Sequence, residues 1–234
     1  MRGSPAAVSF QGKLYVFYCA HDGLSIKYIT MSNDSWDAEK EVTGEHVAVF
    51  GYEAPSPVVY EGGIYLFYMS SGAPMLKYIF MDGENGTWSA DRRDYVHKDI
   101  REFHGSPSTV MFPDKMFVCW RKDSDLFYSI LQFGEERDTW RYPKQVPGVQ
   151  LSESPSAVAD GGMVHVLHQE HGDTGRLRVV SFDFNNWSQP LTMEGPLLGG
   201  SPSAIMDGSR FHVMHSGGRG RFSNGELWWY QHDR

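Results

Sequence analysis

The chain has 234 residues, 14% of them aromatic, and a formal net charge of −8. That length supports one well-buried domain, and the acidic balance disfavours nucleic acid and anionic membrane surfaces, both of which are held by lysine and arginine. No apolar run approaches the ~20 residues of a membrane-spanning helix and no leader peptide is read at the start, so no membrane insertion is expected and the expected location is the cytoplasm or a leaderless release route.

In chain order, the segment Gly3-Ser4-Pro5-Ala6-Ala7-Val8-Ser9-Phe10 is followed by Gln11-Gly12-Lys13 and then Leu14-Tyr15-Val16-Phe17-Tyr18-Cys19. These read as a strand, a tight hairpin turn and a second strand rich in aromatic and β-branched residues. A polar loop, His21-Asp22-Gly23, leads into a third strand at 24–31, and a polar turn precedes a fourth that opens at Trp36. The unit then recurs. Its proline stands at 5, 55, 107, 155 and 202, so the spacings are 50, 52, 48 and 47, and its strand-four tryptophan at 36, 88, 140 and 187. Self-similarity at roughly 40 to 50 residues without a helical pattern is the mark of propeller blades. The predicted fold is all-β, a five-bladed β-propeller of antiparallel four-stranded blades in a single domain, residues 1–234. The blades fall at about 3–50, 51–104, 105–152, 153–199 and 200–234. After Leu227-Trp228-Trp229-Tyr230 no further tryptophan strand follows, so a three-stranded last blade is expected. Cys19 and Cys119 fall in blades that are not neighbours and are read as buried small hydrophobes, not as a disulfide.

In a propeller the start of each first strand shares one face with the loop joining strands two and three. The residues ending strand two are Tyr18, Tyr68, Trp120, His168 and His215. The loops beyond hold His21 and Asp22; Ser70 and Ser71; Arg121, Asp123 and Asp125; Glu170, His171 and Asp173; Arg219, Arg221 and Asn224. Rings beside short polar groups suit a sugar, whose C–H face stacks while its hydroxyls pair. Tyr18, His21, Asp22, Tyr68, Trp120, Arg121, His168, His171, His215 and Arg219 are the candidate ligand-binding residues. The bland reading of the same rings is blade-to-blade packing. The strand-four tryptophans resemble degenerate Asp-boxes, as in Asn85-Gly86-Thr87-Trp88, and are read as packing. His165 and His212 align with Tyr15, Tyr65 and Phe117 as a packing column. No histidine spacing suits zinc, because strand residues three apart face opposite ways. No metal or cofactor is expected, and binding should survive a chelator.

Two residues before the repeat proline stand Gly3, Glu53, Gly105, Glu153 and Gly200. Gly51-Tyr52-Glu53-Ala54-Pro55, followed by Gly63-Ile64-Tyr65-Leu66-Phe67-Tyr68, resembles the surroundings of the general acid in furanosidase-type five-bladed glycoside hydrolases. That resemblance implies Glu53, with Glu153, as catalytic carboxylates. The chain departs from it at Gly3 and Gly105, where a base would be needed. A sialidase reading requires arginines at the mouth, whereas Arg92, Arg93, Arg137 and Arg141 fall near outer strands. Ser4-Pro5-Ala6-Ala7-Val8-Ser9-Phe10, Gly12-Lys13-Leu14-Tyr15-Val16-Phe17, Asp22-Gly23-Leu24 and Trp36 together resemble the repeat of PLL-like bacterial propeller lectins, which have seven blades. This second resemblance implies several non-catalytic sugar sites between blades, with glycans as partners. The expectation is therefore a multivalent carbohydrate-binding lectin rather than an enzyme, its oligomeric state left open. A glycosidase using Glu53 and a protein-interaction propeller are the alternatives.

Overall fold

The computed structural model of the chain describes residues 2–22, 24–43, 53–70, 75–89, 104–133, 139–172, 174–195, 197–219 and 222–233. Among them every regular element is a β-strand, and no helix is long and apolar enough to cross a membrane. Five antiparallel sheets follow one another, and the fold is a five-bladed β-propeller. The first blade has the order β1 (Arg2–Phe10), β2 (Lys13–Cys19), β3 (Ile26–Ser32), β4 (Ser35–Trp36), with β5 (Lys40–Glu41) also paired to β3. The second is β6 (Ser56–Tyr60), β7 (Gly63–Met69), β8 (Leu76–Asp82), β9 (Trp88–Ser89). The third is β10 (His104–Phe112), β11 (Lys115–Lys122), β12 (Asp125–Gln132), β13 (Thr139–Trp140), with β14 (Lys144–Gln150) also on β12. The fourth is β15 (Ser156–Asp160), β16 (Met163–Gln169), β17 (Leu177–Phe182), β18 (Leu191–Thr192). The fifth has three strands, β19 (Ser203–Asp207), β20 (Arg210–Arg219) and β21 (Phe222–Asp233), as the sequence predicts. The chain divides into two compact units, Met1–Met111 and Phe112–Arg234.

The hairpin turns set the register. Phe10 pairs with Lys13 and Tyr60 with Gly63, and the two residues between take positive φ: Gln11 at 48° with Gly12 at 72°, Glu61 at 44° with Gly62 at 75°. Two-residue turns of this hand match the twist of the flanking strands. The fourth strands have two residues each among the described residues, and in the fourth blade the strand is Leu191–Thr192 rather than at Trp187. Trp187 instead makes an isolated bridge to Phe182, and their rings stack at 4.5 Å.

Two of the tryptophans expected to open strand four pack across blades. Trp88 of the second blade meets Phe17 and Tyr28 of the first edge-on, at 5.9 and 6.0 Å. Trp187 of the fourth meets Tyr128 of the third at 5.2 Å. Trp36 departs from that reading, being half exposed. The turn before Trp88 is pinned as an Asp-box would be: Asp82 Oδ1 accepts from Glu84 N–H at 2.8 Å and Asn85 Oδ1 from Thr87 N–H at 2.9 Å. Cys19 and Cys119 are buried and free.

Between the second and third blades, and between the fourth and fifth, serines around the repeat proline close the contact. Ser106 and Ser201, just before it, accept the N–H of the equivalent residue one blade back: Ala54 N–H at 2.7 Å and Ser154 N–H at 3.1 Å. Ser56 and Ser156, just after it, accept from one blade ahead: Thr109 N–H at 3.1 Å and Ala204 N–H at 2.9 Å. Each of these amides would otherwise be an unpaired donor where strands of different sheets meet. Ser156→Ala should therefore lower the unfolding free energy by about 1–3 kcal/mol, the cost of orphaning the Ala204 amide. Urea unfolding read by tryptophan fluorescence measures it; an unchanged midpoint would show that the bond contributes nothing.

Candidate functional site

The column at the end of strand two is not a surface platform. Tyr68, Trp120, His168 and His215 are 3%, 1%, 2% and 3% exposed, so no ring face among them is offered to an incoming sugar. The reason is that each strand two is the second of its sheet, flanked on both sides: β7 and β11 run as nearly unbroken buried stretches. Tyr18 is less buried, but its hydroxyl donates to Glu39, which also pairs with Lys27. Burial and that bond raise the Tyr18 phenol to about 12. His21 is exposed, and Asp22 Oδ1 accepts from Leu24 N–H at 2.9 Å, closing a turn. Arg219 lies at the tip of the β20–β21 hairpin, paired with Phe222. Its side chain and that of Asn224, together with Ser71, Asp173 and Arg221, lie outside the described residues, as do Arg92, Arg93 and Arg137.

The residues brought together are those of the third and fourth blades. Arg121, Asp123, Ser124, Ser152, Glu153, His171 and Gly172 line a cleft of about 320 Å³. A two-residue turn makes one wall: Lys122 pairs with Asp125, and Asp123 takes a φ of 54°. The loop after β16 makes the other. The segment 151–153 is clamped between them. Leu151 N–H donates to Ser124 O at 2.8 Å and Ser152 N–H to Gln169 O at 3.3 Å. The Ser152 hydroxyl lies 3.0 Å from Gly172 O and 3.2 Å from Glu170 O, and Arg121 Nη1 donates to Ser152 O. So the floor is held by backbone bonds while Glu153 and His171 spend no side-chain hydrogen bond on any described residue. The buried Nε of Arg121 has no partner either. The cleft combines a fixed guanidinium, a carboxylate, an imidazole and the hydroxyls of Ser124 and Ser152, a set that both donates to and accepts from a polyhydroxylated ligand. Sequence reasoning singled out Arg121, His171 and Glu153 but missed Ser152 and Ser124. They precede the repeat motif or sit in a turn, with no signal of their own.

Glu53 occupies the same repeat position as Glu153 and is used differently. Its Oε1 accepts from Gly105 N–H and its Oε2 from the Ser106 hydroxyl, each at 3.2 Å. The carboxylate thus ties the second blade to the third. Gly105 itself has φ of 89°, a left-handed conformation that disfavours any side chain, which is why no second carboxylate stands there.

His165 and His212 follow the packing reading. His165 is buried, bonded through Nδ1 to Ser181 Oγ at 2.7 Å and edge-on to Phe211. His212 stacks on Trp229. Among the described residues no group of three metal-ligating side chains forms.

Burial drops the His168 imidazole from 6.5 to about 4. Its Nδ1 lies 3.3 Å from Gln169 O, which can only accept, so Nδ1 carries the hydrogen and the buried Nε2 is the site a second proton would have to take. The folded-state value lies below the unfolded one, so its contribution is fully present above pH 6.5 and is lost as pH falls toward 4. The slope is about 1.4 kcal/mol per pH unit. Urea midpoints measured across that window should fall with acidification, and His168→Gln should flatten the fall. An equal slope in the variant would assign the acid sensitivity elsewhere.

No protein-family model and no curated protein sequence matches the chain. Solved structures do match in fold. The six-bladed β-propeller lectin of Aleuria aurantia, described with a novel fucose recognition mode, superposes at TM-score 0.66 with 14% identity, over 97% of this chain and 74% of the lectin. The SapL1 lectin, solved with α-methyl fucoside, gives 0.67 at 13% identity, over 99% and 81%. An α-L-arabinofuranosidase of Clostridium thermocellum gives 0.57 at 13%, over 91% and 81%. The chain is thus similar in fold to propeller lectins and to an arabinofuranosidase.

Proposed function

We propose that the protein is a carbohydrate-binding propeller that holds a sugar without cleaving it, in the cleft between its third and fourth blades. The observation that carries the reading is the set Arg121, Glu153 and His171 gathered over a floor fixed by backbone hydrogen bonds. Charge-assisted bonds from such groups are the strong ones, and a preorganised floor spares the ordering cost of binding. The fold it shares with fucoside-binding lectins supports the same class. The hydrolase alternative draws on the arabinofuranosidase likeness. Against it, the Glu53 carboxylate is engaged by Gly105 and Ser106, and proton transfer to a leaving group needs a carboxyl that can reach it. Trp120, buried as it is, acts in this reading through stability and not by stacking.

The test is a glycan array followed by calorimetry on the wild type, Arg121→Ala and Glu153→Gln. Each variant should weaken binding by about 1.5–3 kcal/mol, the worth of a hydrogen bond to a charged group, while a panel of nitrophenyl glycosides stays intact. Hydrolysis by the wild type that vanishes in Glu53→Gln or Glu153→Gln would assign a glycosidase instead. Sugar binding indifferent to both Arg121 and Glu153 would place the site elsewhere.

A further inference from the structure

A second, smaller groove lies apart from that cleft, between the outer strands of the third blade and the turn after β17. Its volume is about 80 Å³ and its lining includes Tyr128, Arg141, Tyr142, Lys144, Phe184 and Asn185. Its wall is aromatic and fixed. Phe182 sits 5.2 Å from Tyr128. Phe184, a bulky residue held at φ of 69°, is locked edge-on against Phe112 at 4.9 Å and tilted against Phe182 at 5.3 Å. Strain of that kind persists only where the surroundings over-determine it, and it gathers at functional sites.

The rim is cationic. The backbone of Arg141 is pinned by its N–H to Ile130 O at 2.8 Å and by Ser129 Oγ donating to its carbonyl at 2.6 Å. Its guanidinium, in contrast, has one weak contact, Nη2 to Gln132 Oε1 at 3.5 Å. Lys144, in register with Tyr128, has no hydrogen bond or ion pair from its ammonium to a described residue. Among the described residues no acidic side chain lines the groove. The acid of the adjoining turn, Asp183, is turned inward, its Oδ1 accepting the N–H groups of Asn185 and Asn186 at 2.8 and 2.6 Å. That leaves the Asn185 amide uncommitted. Two cations without a counter-charge among the described residues thus stand beside one groove. Tyr142, 74% exposed, stands next to them.

We propose that this groove is a second binding site, which takes the carboxylate or sulfate group of an acidic saccharide between Arg141 and Lys144 while the sugar ring lies against Tyr142. The volume suits one such group and not a whole ring, which must then rest on the exposed tyrosine. The guanidinium and ammonium answer the oxyanion's charge, the Asn185 amide can donate to a remaining oxygen, and the tyrosine offers an apolar face with a polar tip.

Calorimetric titration of the whole chain with D-glucuronic acid, glucose 6-sulfate, glucose and inorganic sulfate tests this. The two acidic sugars should bind, glucose should not bind at this groove, and affinity should fall as sodium chloride is raised. An Arg141→Ala/Lys144→Ala double variant should weaken the acidic sugars by about tenfold or more, the scale expected for losing charge-assisted bonds. Tyr142→Ala should weaken them by a smaller factor and leave inorganic sulfate unchanged. All three side chains are exposed, so the variants should keep the wild-type melting temperature. Arg121→Ala should leave acidic-sugar binding here intact, which separates this site from the sugar cleft. Acidic-sugar affinity unchanged in the double variant would overturn the site. Inorganic sulfate binding as tightly as glucose 6-sulfate would overturn the saccharide assignment.

Discussion

Blade-to-blade contact in this protein runs through serine hydroxyls on either side of one recurring proline. Proline has no amide hydrogen, so burying it where two sheets meet leaves no donor to satisfy, and Pro55, Pro107, Pro155 and Pro202 are all buried. The amides around it do need acceptors. Ser106 and Ser201 supply them backward along the chain, and Ser56 and Ser156 supply them forward. The second blade is thereby keyed to the third and the fourth to the fifth. Glu153, in the cleft of the third and fourth blades, stands two residues before one of these prolines.

The position after the end-of-strand-two column explains how the boundary of the third and fourth blades can carry the cleft. That residue reaches across to the backbone ahead of the next inner strand. Cys19 Sγ donates to Glu53 O at 2.9 Å, Gln169 Nε2 to Leu198 O at 3.0 Å, and Arg121 Nη1 to Ser152 O. The three contacts do one structural job with different chemistry. The thiol spends its only hydrogen on it, and burial beside Glu53 raises its pKa to about 11. Arginine has five donors in a fork, so one can hold the backbone while others remain for a ligand. The strut and the site share one side chain.

Glu53 and Glu153 show how an identical repeat position diverges by its neighbours. Beside Glu53 stand an amide in the left-handed conformation, Gly105, and the Ser106 hydroxyl, and both oxygens are taken. At the later boundary Ser201 accepts from Ser154 N–H at 3.1 Å as Ser106 does from Ala54 N–H, but it makes no bond to Glu153. The Glu153 carboxylate is left to the cleft. A carboxylate that ties blades together has both oxygens committed, while one without such bonds keeps them as acceptors.

The repeat made the architecture legible in the sequence. Five proline segments, four of them Ser-Pro and four of them in step with a tryptophan, dictate five blades, and the missing fifth tryptophan dictates three strands in the last. These are local signals, carried by turn chemistry and strand propensity, and they survive any detail of packing. Tertiary structure decided which face of strand two meets solvent. Tyr68, Trp120, His168 and His215 read as a sugar platform because large polar-tipped rings suit either setting. Only the flanking strands on both sides bury them. It also decided the partners of Glu53 and Glu153, which one motif cannot distinguish, and the clamping of Ser152 between two loops. Contacts between residues some twenty to fifty positions apart are set by how the blades stack, and the order of amino acids along one blade does not encode them.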